Sequence, residues 1–363
     1  MLVLVNECIC HGHDSTHNHL NIPIPGGDAY IANGFRAALA QVRGDGQFVC
    51  ELFDFPKWNE ALQMCWLCCA SGVAGALCFT NCDQYAPWRD TRRTDESFRA
   101  ERAAAGQALP MLMLACIGFR LSCITIDVLH TVDLGVTAHV IANIFWELVR
   151  AHAWGESTQA LNVKALYEEM RAWYKATRTS SKVQGELTVE RIRTQRGWPK
   201  LKAKAAALRH LILFAVDLAS RHNSGSDHDR RRLGVAQCLA EFYKIMEAED
   251  QFLSPDASNK IKFYGTNCIM MYAQLSQEAL TSGLKLWKIS PKHHLMLHLC
   301  EWQAPILGNP RWYWTYLDED LVGQLIEVCH KCHPLTMAPT AMFKWSLYCF
   351  QNSDFEDMCV VEF

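Results

Sequence analysis

The sequence predicts an α/β fold that is rich in helix. Residues 119–127, F-R-L-S-C-I-T-I-D, have the composition of a β-strand. From about 158 to 290 the apolar residues recur at helical spacing almost throughout. A strand-bearing half therefore comes first, a helical block follows, and a helix that carries Glu319 comes last. We expect a mixed sheet with flanking helices, interrupted by a large helical insertion.

This order divides the chain into five segments. Residues 1–60 are assigned to the N-terminal part of the core, 61–107 to a Cys-rich and charged insertion, and 108–155 to the core strand and helix. Residues 156–290 form the helical insertion, and 291–363 hold the C-terminal core helices. The chain begins M-L-V-L-V-N-E-C, as if within a strand, which suggests that an upstream part has been lost.

Helix patterns follow the predicted strand. Asp133 is a candidate N-cap for a first helix, whose apolar face is Val136, Val140, Ile144 and Leu148. Later helices are predicted near 161–173, 201–221, 233–252, 262–287, 320–333 and 337–351. The stretch 223–227, N-S-G-S-D, is typical of a loop between two of them.

Composition excludes several classes of protein. Half of the 363 residues are apolar and 20% are charged, which favours a large packed core. The net charge is −3 and the pI about 6.6, so a strongly basic nucleic-acid binder is not indicated. The 17 cysteines, without a secretory leader, predict reduced thiols in the nucleus or cytoplasm rather than a secreted protein. Charged or polar residues interrupt every long apolar stretch, so we predict no membrane span.

Three acidic segments stand far apart in the chain. Asp45 lies in V-R-G-D-G-Q-F, Asp127 in I-T-I-D-V-L-H, and Glu319 in W-T-Y-L-D-E-D-L-V-G. A carboxylate among apolar residues is costly without a partner, and three that converge would hold a pair of Mg²⁺ ions. Simpler roles stay open. Asp127 could cap the following turn, Glu319 could favour a helix N-terminus, and Asp45 could belong to an ordinary turn.

These segments resemble blocks of a known protein family. The stretch I-D-V-L-H-T-V-D-L-G resembles the D-x-M-H…G motif of CACTA-like, Plavaka and Kyakuja–Dileera–Zisupton-type DDE transposases. The stretch P-K-H-H-L-M-L-H-L…W-T-Y-L-D-E-D-L-V-G resembles their P-K-x-H-x-L-x-H-L…W-x-F-x-x-E-R-x-x-G block, and G-D-G-Q-F…L-F-D-F-P-K-W-N…C-W-L-C resembles their upstream block. The resemblance covers roughly residues 40–350.

The resemblance implies an RNase H-like core that cuts and joins DNA with two Mg²⁺ or Mn²⁺ ions. By position it makes Asp45, Asp127 and Glu319 the catalytic metal ligands. It makes His130 and His298 supporting residues. The alternative is a decayed or domesticated transposase that only binds DNA or protein. Asp320, where the family has a basic residue, favours that alternative, and formation of a homo-oligomer stays open.

Two further groups of residues have a pattern that suggests binding. Cys65, Cys68, Cys78 and Cys82 have a C-x2-C…C-x3-C spacing that suits a small zinc site, although a plain thiol cluster explains them better. A basic segment is the best candidate for contact with DNA phosphates, and a solvated helix face explains it equally well. Its residues are Arg191, Arg193, Arg196, Lys200, Lys202, Lys204 and Arg209.

Overall fold

The computed structural model describes residues 41–352, apart from 58, 116–118 and 196. Its α-helices are α1 Gly46–Phe53, α2 Asp95–Ala104, α3 Met111–Ala115, α4 Ala138–Arg150, α5 Gln159–Thr177, α6 Val189–Ile192, α7 Ala205–Arg221, α8 Asp227–Ala248, α9 Pro255–Thr281, α10 Pro291–His298, α11 Ala304–Leu307, α12 Tyr316–His330 and α13 Met337–Asn352. The chain divides into two compact units, with the boundary between Trp314 and Thr315.

The predicted mixed sheet was wrong for the part of the chain that the structure describes. Those residues contain no β-strand, and their extended pairing is limited to isolated bridges. One bridge joins Val42 to Ile124 and the other joins Ser71 to Cys78. An RNase H-like core with a mixed sheet is therefore not seen, and the described fold is helical.

Residues 119–127 look like a strand in the sequence because apolar and polar residues nearly alternate, but Leu121–Cys123 form a 3-10 turn between the extended Arg120 and Ile124. Their hydrogen-bond partners are not strands, however. Val42 pairs with the neighbouring Cys123 and Thr125 backbones at 2.7 and 3.0 Å. The amide side chain of Gln303 donates to the Ile124 carbonyl and accepts from the Ile126 N–H, both at 2.8 Å. One amide side chain thus satisfies backbone groups that a neighbouring strand would otherwise pair.

A long buried helix follows this segment. Its first part, Leu129–Thr137, is π-helical, and it continues as α4. The predicted N-cap at Asp133 was wrong, because Asp133 is fully buried inside the π-helical part and accepts a hydrogen bond from the Tyr243 hydroxyl. The helix Leu129–Arg150 is long and apolar enough to cross a membrane, but 89% of its most apolar window is buried within the protein. Such burial is typical of a core helix.

The helices predicted from the spacing of apolar residues between about 158 and 290 are confirmed. The predicted segments 161–173, 201–221, 233–252 and 262–287 correspond to α5, α7, α8 and α9. Helix α8 packs between α7 and α9, while the π-helical segment packs against α7 and α10. Thr158, Ser226 and Ser254 cap α5, α8 and α9 by accepting backbone N–H groups, which explains why these helices begin there.

The second unit contains helices α12 and α13, which pack on each other. Both lie where the sequence predicts C-terminal helices. Glu319 is in the first turn of α12, and its backbone N–H donates to the Thr315 carbonyl at 2.8 Å.

Candidate metal centre and adjoining cavity

Four buried side chains with metal-binding atoms meet in the first unit: Cys65, Cys68, His294 and His298. Their nearest ligand atoms all lie within 4.8 Å of one another. The Cys68 Sγ is 3.3 Å from the His294 Nε2 and 3.4 Å from the His298 Nε2, and the two Nε2 atoms are 2.8 Å apart. Tetrahedral zinc with bonds of about 2.0–2.3 Å needs ligand atoms roughly 3.3–3.8 Å apart. These three separations are at or below that range, the others are at most 4.8 Å, and the group has the right size for one ion.

The two cysteines lie in a tight loop that points both sulfurs inward. The Leu67 N–H donates to the Cys65 Sγ and the Ala70 N–H to the Cys68 Sγ, each at 3.4 Å. Arg93 fixes the loop from outside, because its guanidinium donates to the Cys65 carbonyl at 2.8 Å. Backbone N–H groups directed at sulfur stabilise thiolate ligands.

Protonation in this group also favours a bound cation. Burial raises the pKa of Cys65, but the hydrogen bond from Cys68 and the charge of His298 outweigh it, so the pKa falls well below its usual value. The hydrogen bond to Cys65 and burial raise the pKa of Cys68. Burial and the adjacent His294 lower the pKa of His298 to about 4. A thiolate and a neutral imidazole are the forms that bind zinc.

Tryptophans hold the two imidazoles in place. Trp88 meets the edges of the His294 and His298 rings, with centroids 4.4 and 5.2 Å away, and Trp302 stacks on His298 at 4.0 Å. The Nδ1 atoms of both histidines are buried and have no hydrogen-bond partner among the described residues. Aromatic packing thus takes the orienting role that a hydrogen-bond acceptor on the second imidazole nitrogen usually has.

The predicted zinc set was half right. Cys65 and Cys68 belong to the metal-ligand group, but Cys78 and Cys82 do not. The Cys78 thiol contacts the Thr80 hydroxyl at 3.1 Å, and burial raises the pKa of Cys82 to about 12. His298, predicted as a supporting residue of a magnesium site, lies in the cysteine group instead. His294 was missed, although the H-x3-H spacing places His294 and His298 on one face of a helix.

A cavity of about 370 Å³ adjoins this group. It is formed by the start of α1, residues 64–66, the π-helical segment and the start of α10. Its ionisable or polar lining includes Asp45, His130, His139, Lys200, Ser290 and Lys292. Met64, Trp66 and Leu295 supply apolar walls. The cavity therefore gathers one predicted catalytic residue, one predicted supporting residue and one lysine of the basic segment.

The two predicted catalytic carboxylates of the first unit, Asp45 and Asp127, have structural partners. Asp45 is the N-cap of α1 and accepts the Phe48 N–H at 2.6 Å. Asp127, 4% exposed, accepts N–H groups of Leu129 and His130 at 3.1 and 2.7 Å and contacts the His130 Nδ1 at 2.7 Å. Capping thus explains both charges without a metal. Glu319 lies in the second unit, so the three-carboxylate site stays a prediction.

Lys292 lies near both Asp45 and Asp127 and is affected by their charges. Its ammonium donates to the His130 carbonyl at 2.7 Å. Burial and the neighbouring Lys200 lower the pKa of Lys292 to about 8, while Asp127 and Asp45 oppose that shift. His139 on the same cavity is buried, and its Nδ1 contacts the Pro199 carbonyl at 2.8 Å. Burial lowers the pKa of His139 to about 4.

The basic segment is partly structural. Arg191 donates to the carbonyls of Gln184, Glu186 and Lys202 at 2.7–3.0 Å. Arg193 and Arg209 lie over the rings of Trp146 and Trp314, at 5.4 and 4.6 Å. Lys200 lines the cavity, Lys202 and Lys204 are exposed, and Arg196 lies outside the described residues. A continuous phosphate-binding face along this segment stays a prediction.

Comparison of the chain with protein-family models, curated proteins and solved structures finds no match. The transposase resemblance thus stays a hypothesis based on short motifs, and the assignment of function depends on the geometry of the sites.

Proposed function

We propose that Cys65, Cys68, His294 and His298 bind a structural Zn²⁺ ion. The observation that carries the proposal is the convergence of four buried donors within 4.8 Å. Two thiols and two imidazoles match the ligand preference of zinc, whereas magnesium and calcium prefer oxygen.

The closed surroundings favour a structural rather than a catalytic ion. All four ligands are buried, and Trp88, itself fully buried, covers the two imidazoles. Catalytic zinc keeps an open position for water or substrate, while structural zinc is enclosed by four protein ligands. The ion would link Cys68 to His294 and His298, which lie 226 and 230 residues further along the chain. It would thereby fix the loop around Cys65 to α10.

Metal analysis of the purified full chain tests this proposal. We expect one zinc per chain in the wild-type protein and a loss of most of it in Cys68→Ser. Cys69→Ser is the matched control, because Cys69 is adjacent, half-buried and outside the metal-ligand group. Equal zinc content in all three proteins would contradict the assignment.

We propose as a second function the metal-dependent cleavage and joining of DNA that the transposase motifs imply. Its support is that the Asp127 carboxylate contacts the His130 Nδ1 at 2.7 Å. Asp45 and His130 also line one cavity. By the motifs, Asp45 and Asp127 would bind Mg²⁺ or Mn²⁺ for attack on a phosphodiester. A decayed transposase that only binds DNA or protein is the alternative.

Nicking of supercoiled DNA by the full chain distinguishes these alternatives. An active protein should nick DNA with Mg²⁺ or Mn²⁺, and Asp127→Asn should lose this activity while it keeps its zinc. No nicking, with DNA binding intact, would support the decayed protein. Equal nicking by the wild-type protein and Asp127→Asn would contradict the assignment of Asp127.

A further inference from the structure

The cavity beside the zinc ligands has a net positive lining. Lys200, Lys292 and Asp45 are its formally charged residues at neutral pH. Among the described residues, no carboxylate lies within 4.0 Å of either ammonium group, in contrast to Lys244 and Lys260, which form ion pairs. Two lysine charges at one cavity repel each other unless a counter-charge is present. Asp45 offsets one of the two lysine charges, and an anionic ligand would offset the other.

Lys292 is held in position for such a ligand. Its ammonium uses one of three donors on the His130 carbonyl, which leaves two. The stem packs against Gly135, where an added Cβ would lie 2.7 Å from the Lys292 Cδ. The π-helical segment therefore supplies both the carbonyl that anchors the ammonium and the gap through which the stem passes.

A second cleft is lined by neighbours in the chain of the cavity residues. It has a volume of about 620 Å³ and is lined by Trp198, Lys288 and Ile289, among others. Lys200 and Ser290, which line the first cavity, are close neighbours of these residues in the chain. The two spaces share no lining residue, but Trp198 is two positions from Lys200, and Ile289 directly precedes Ser290, so their linings are close along two chain segments.

The cleft differs from the cavity in chemistry. Trp198 is half-buried and supplies an aromatic ring, and Asn81, Gln274 and Gln277 supply amides that can both donate and accept hydrogen bonds. Lys288 adds a cation and Asp83 a carboxylate to the lining of the cleft. A heteroaromatic base can stack on a tryptophan, and its edge can bond to amides, while lysines bind phosphate.

We propose that the cavity and cleft together bind a nucleotide unit, with its phosphate between Lys200 and Lys292 and its base beside Trp198. The ligand is either a free nucleotide or one unit of a nucleic-acid strand, since both carry this chemistry. This inference concerns a different ligand from the zinc proposal and does not depend on it. It shares a cavity with the DNA-cleavage proposal but requires neither divalent metal nor cleavage.

Fluorescence polarisation of a labelled oligothymidylate with the full chain tests the inference, in buffer without Mg²⁺ and without a chelator. We expect Lys200→Met and Lys292→Met each to weaken binding about tenfold and to reduce the salt dependence by about one phosphate contact. Lys164→Met is the matched control, because Lys164 is exposed, lies outside the basic segment and lines neither the cavity nor the cleft. Its affinity should stay within about twofold of wild type. Circular dichroism and zinc content identify any variant that is misfolded.

Competition separates the two sources and the two halves of the site. Inorganic phosphate should displace the probe, and Trp198→Leu should weaken the oligonucleotide and AMP but not phosphate. If AMP binds with the same affinity as the oligonucleotide, the ligand is a free nucleotide. If the oligonucleotide binds much more tightly than AMP, the ligand is a nucleic-acid strand. Wild-type affinity in both Lys200→Met and Lys292→Met, or no competition by phosphate, would overturn the inference. A wild-type protein that binds the oligonucleotide but does not nick DNA would contradict the DNA-cleavage proposal and leave the nucleotide site intact.

Discussion

The metal-ligand group and the cavity differ in character although they share two chain segments, the loop around Cys65 and helix α10. In the loop, Met64 and Trp66 face the cavity while Cys65 faces the metal-ligand group. In α10, Lys292 and Leu295 face the cavity while His294 and His298 face the group. The first region is closed and made of soft donors, and the second is larger and contains charges of both signs.

This difference determines how much chemistry each region reveals. Facing sulfur and nitrogen atoms in a dry interior are unfavourable without a cation, so the metal-ligand group itself points to its ligand. The carboxylates near the cavity instead accept protein N–H groups, and Asp45 and Asp127 act as helix caps. A cap needs no ligand, so these two carboxylates alone identify no metal.

Removal of the metal should have the largest effect. A chelator should lower the free energy of unfolding of the wild-type protein by at least about 3 kcal/mol, because structural zinc contributes directly to folding. The same treatment should weaken oligonucleotide binding, since both sites share the loop and α10. Urea unfolding with and without chelator measures this effect. Cys68→Ser should not respond to the chelator, and an equal response would place the metal elsewhere.

The cavity should give the protein a sensitivity to acid through His139. Because burial lowers its folded pKa to about 4, the unfolded chain takes up the proton first as the pH falls. The stability is therefore retained above about pH 6.5 and is lost as the pH falls towards 4. We expect His139→Gln to reduce the loss of unfolding free energy between pH 7 and 5 by about 2 kcal/mol. Urea titrations at both pH values measure this difference, and equal losses would show that His139 does not titrate in this way.

Aromatic packing should tune the metal-ligand group more weakly. Trp302→Leu removes the ring that stacks on His298 at 4.0 Å and should weaken zinc binding about tenfold. Competition with a zinc-binding dye measures the affinity. Trp312→Leu is the control, because Trp312 is half-exposed and makes no described contact with either histidine. Equal affinities in the two variants would exclude an orienting role for Trp302.

The smallest expected change should separate the two regions. In Gly135→Ala the new Cβ would displace the Lys292 side chain, so oligonucleotide binding should fall about fivefold, or by about 1 kcal/mol. Zinc content should stay unchanged. Gly46→Ala is a control on the same cavity, because its Cβ would meet nothing within 4 Å. Loss of zinc in Gly135→Ala would show that the regions are not separable.

Local pattern was enough to predict the helices but not their tertiary partners. The spacing of apolar residues located α5, α7, α8 and α9, since each buries one face. The segment 119–127 misled because it contains a 3-10 turn, and because the side chain of Gln303, far away in sequence, bonds to the backbone of Ile124 and Ile126. The C-x2-C pair was visible, but its partners lie more than two hundred residues later, and only the fold brings them together.

X-ray absorption at the zinc edge on the purified full chain tests the central claim most directly. The proposed site predicts a first shell of two sulfur atoms at about 2.3 Å and two nitrogen atoms at about 2.0–2.1 Å. Cys68→Ser should lose this spectrum and Cys69→Ser should keep it. A wild-type protein without stoichiometric zinc, or one whose zinc has only oxygen and nitrogen neighbours, would contradict the Cys65, Cys68, His294 and His298 site.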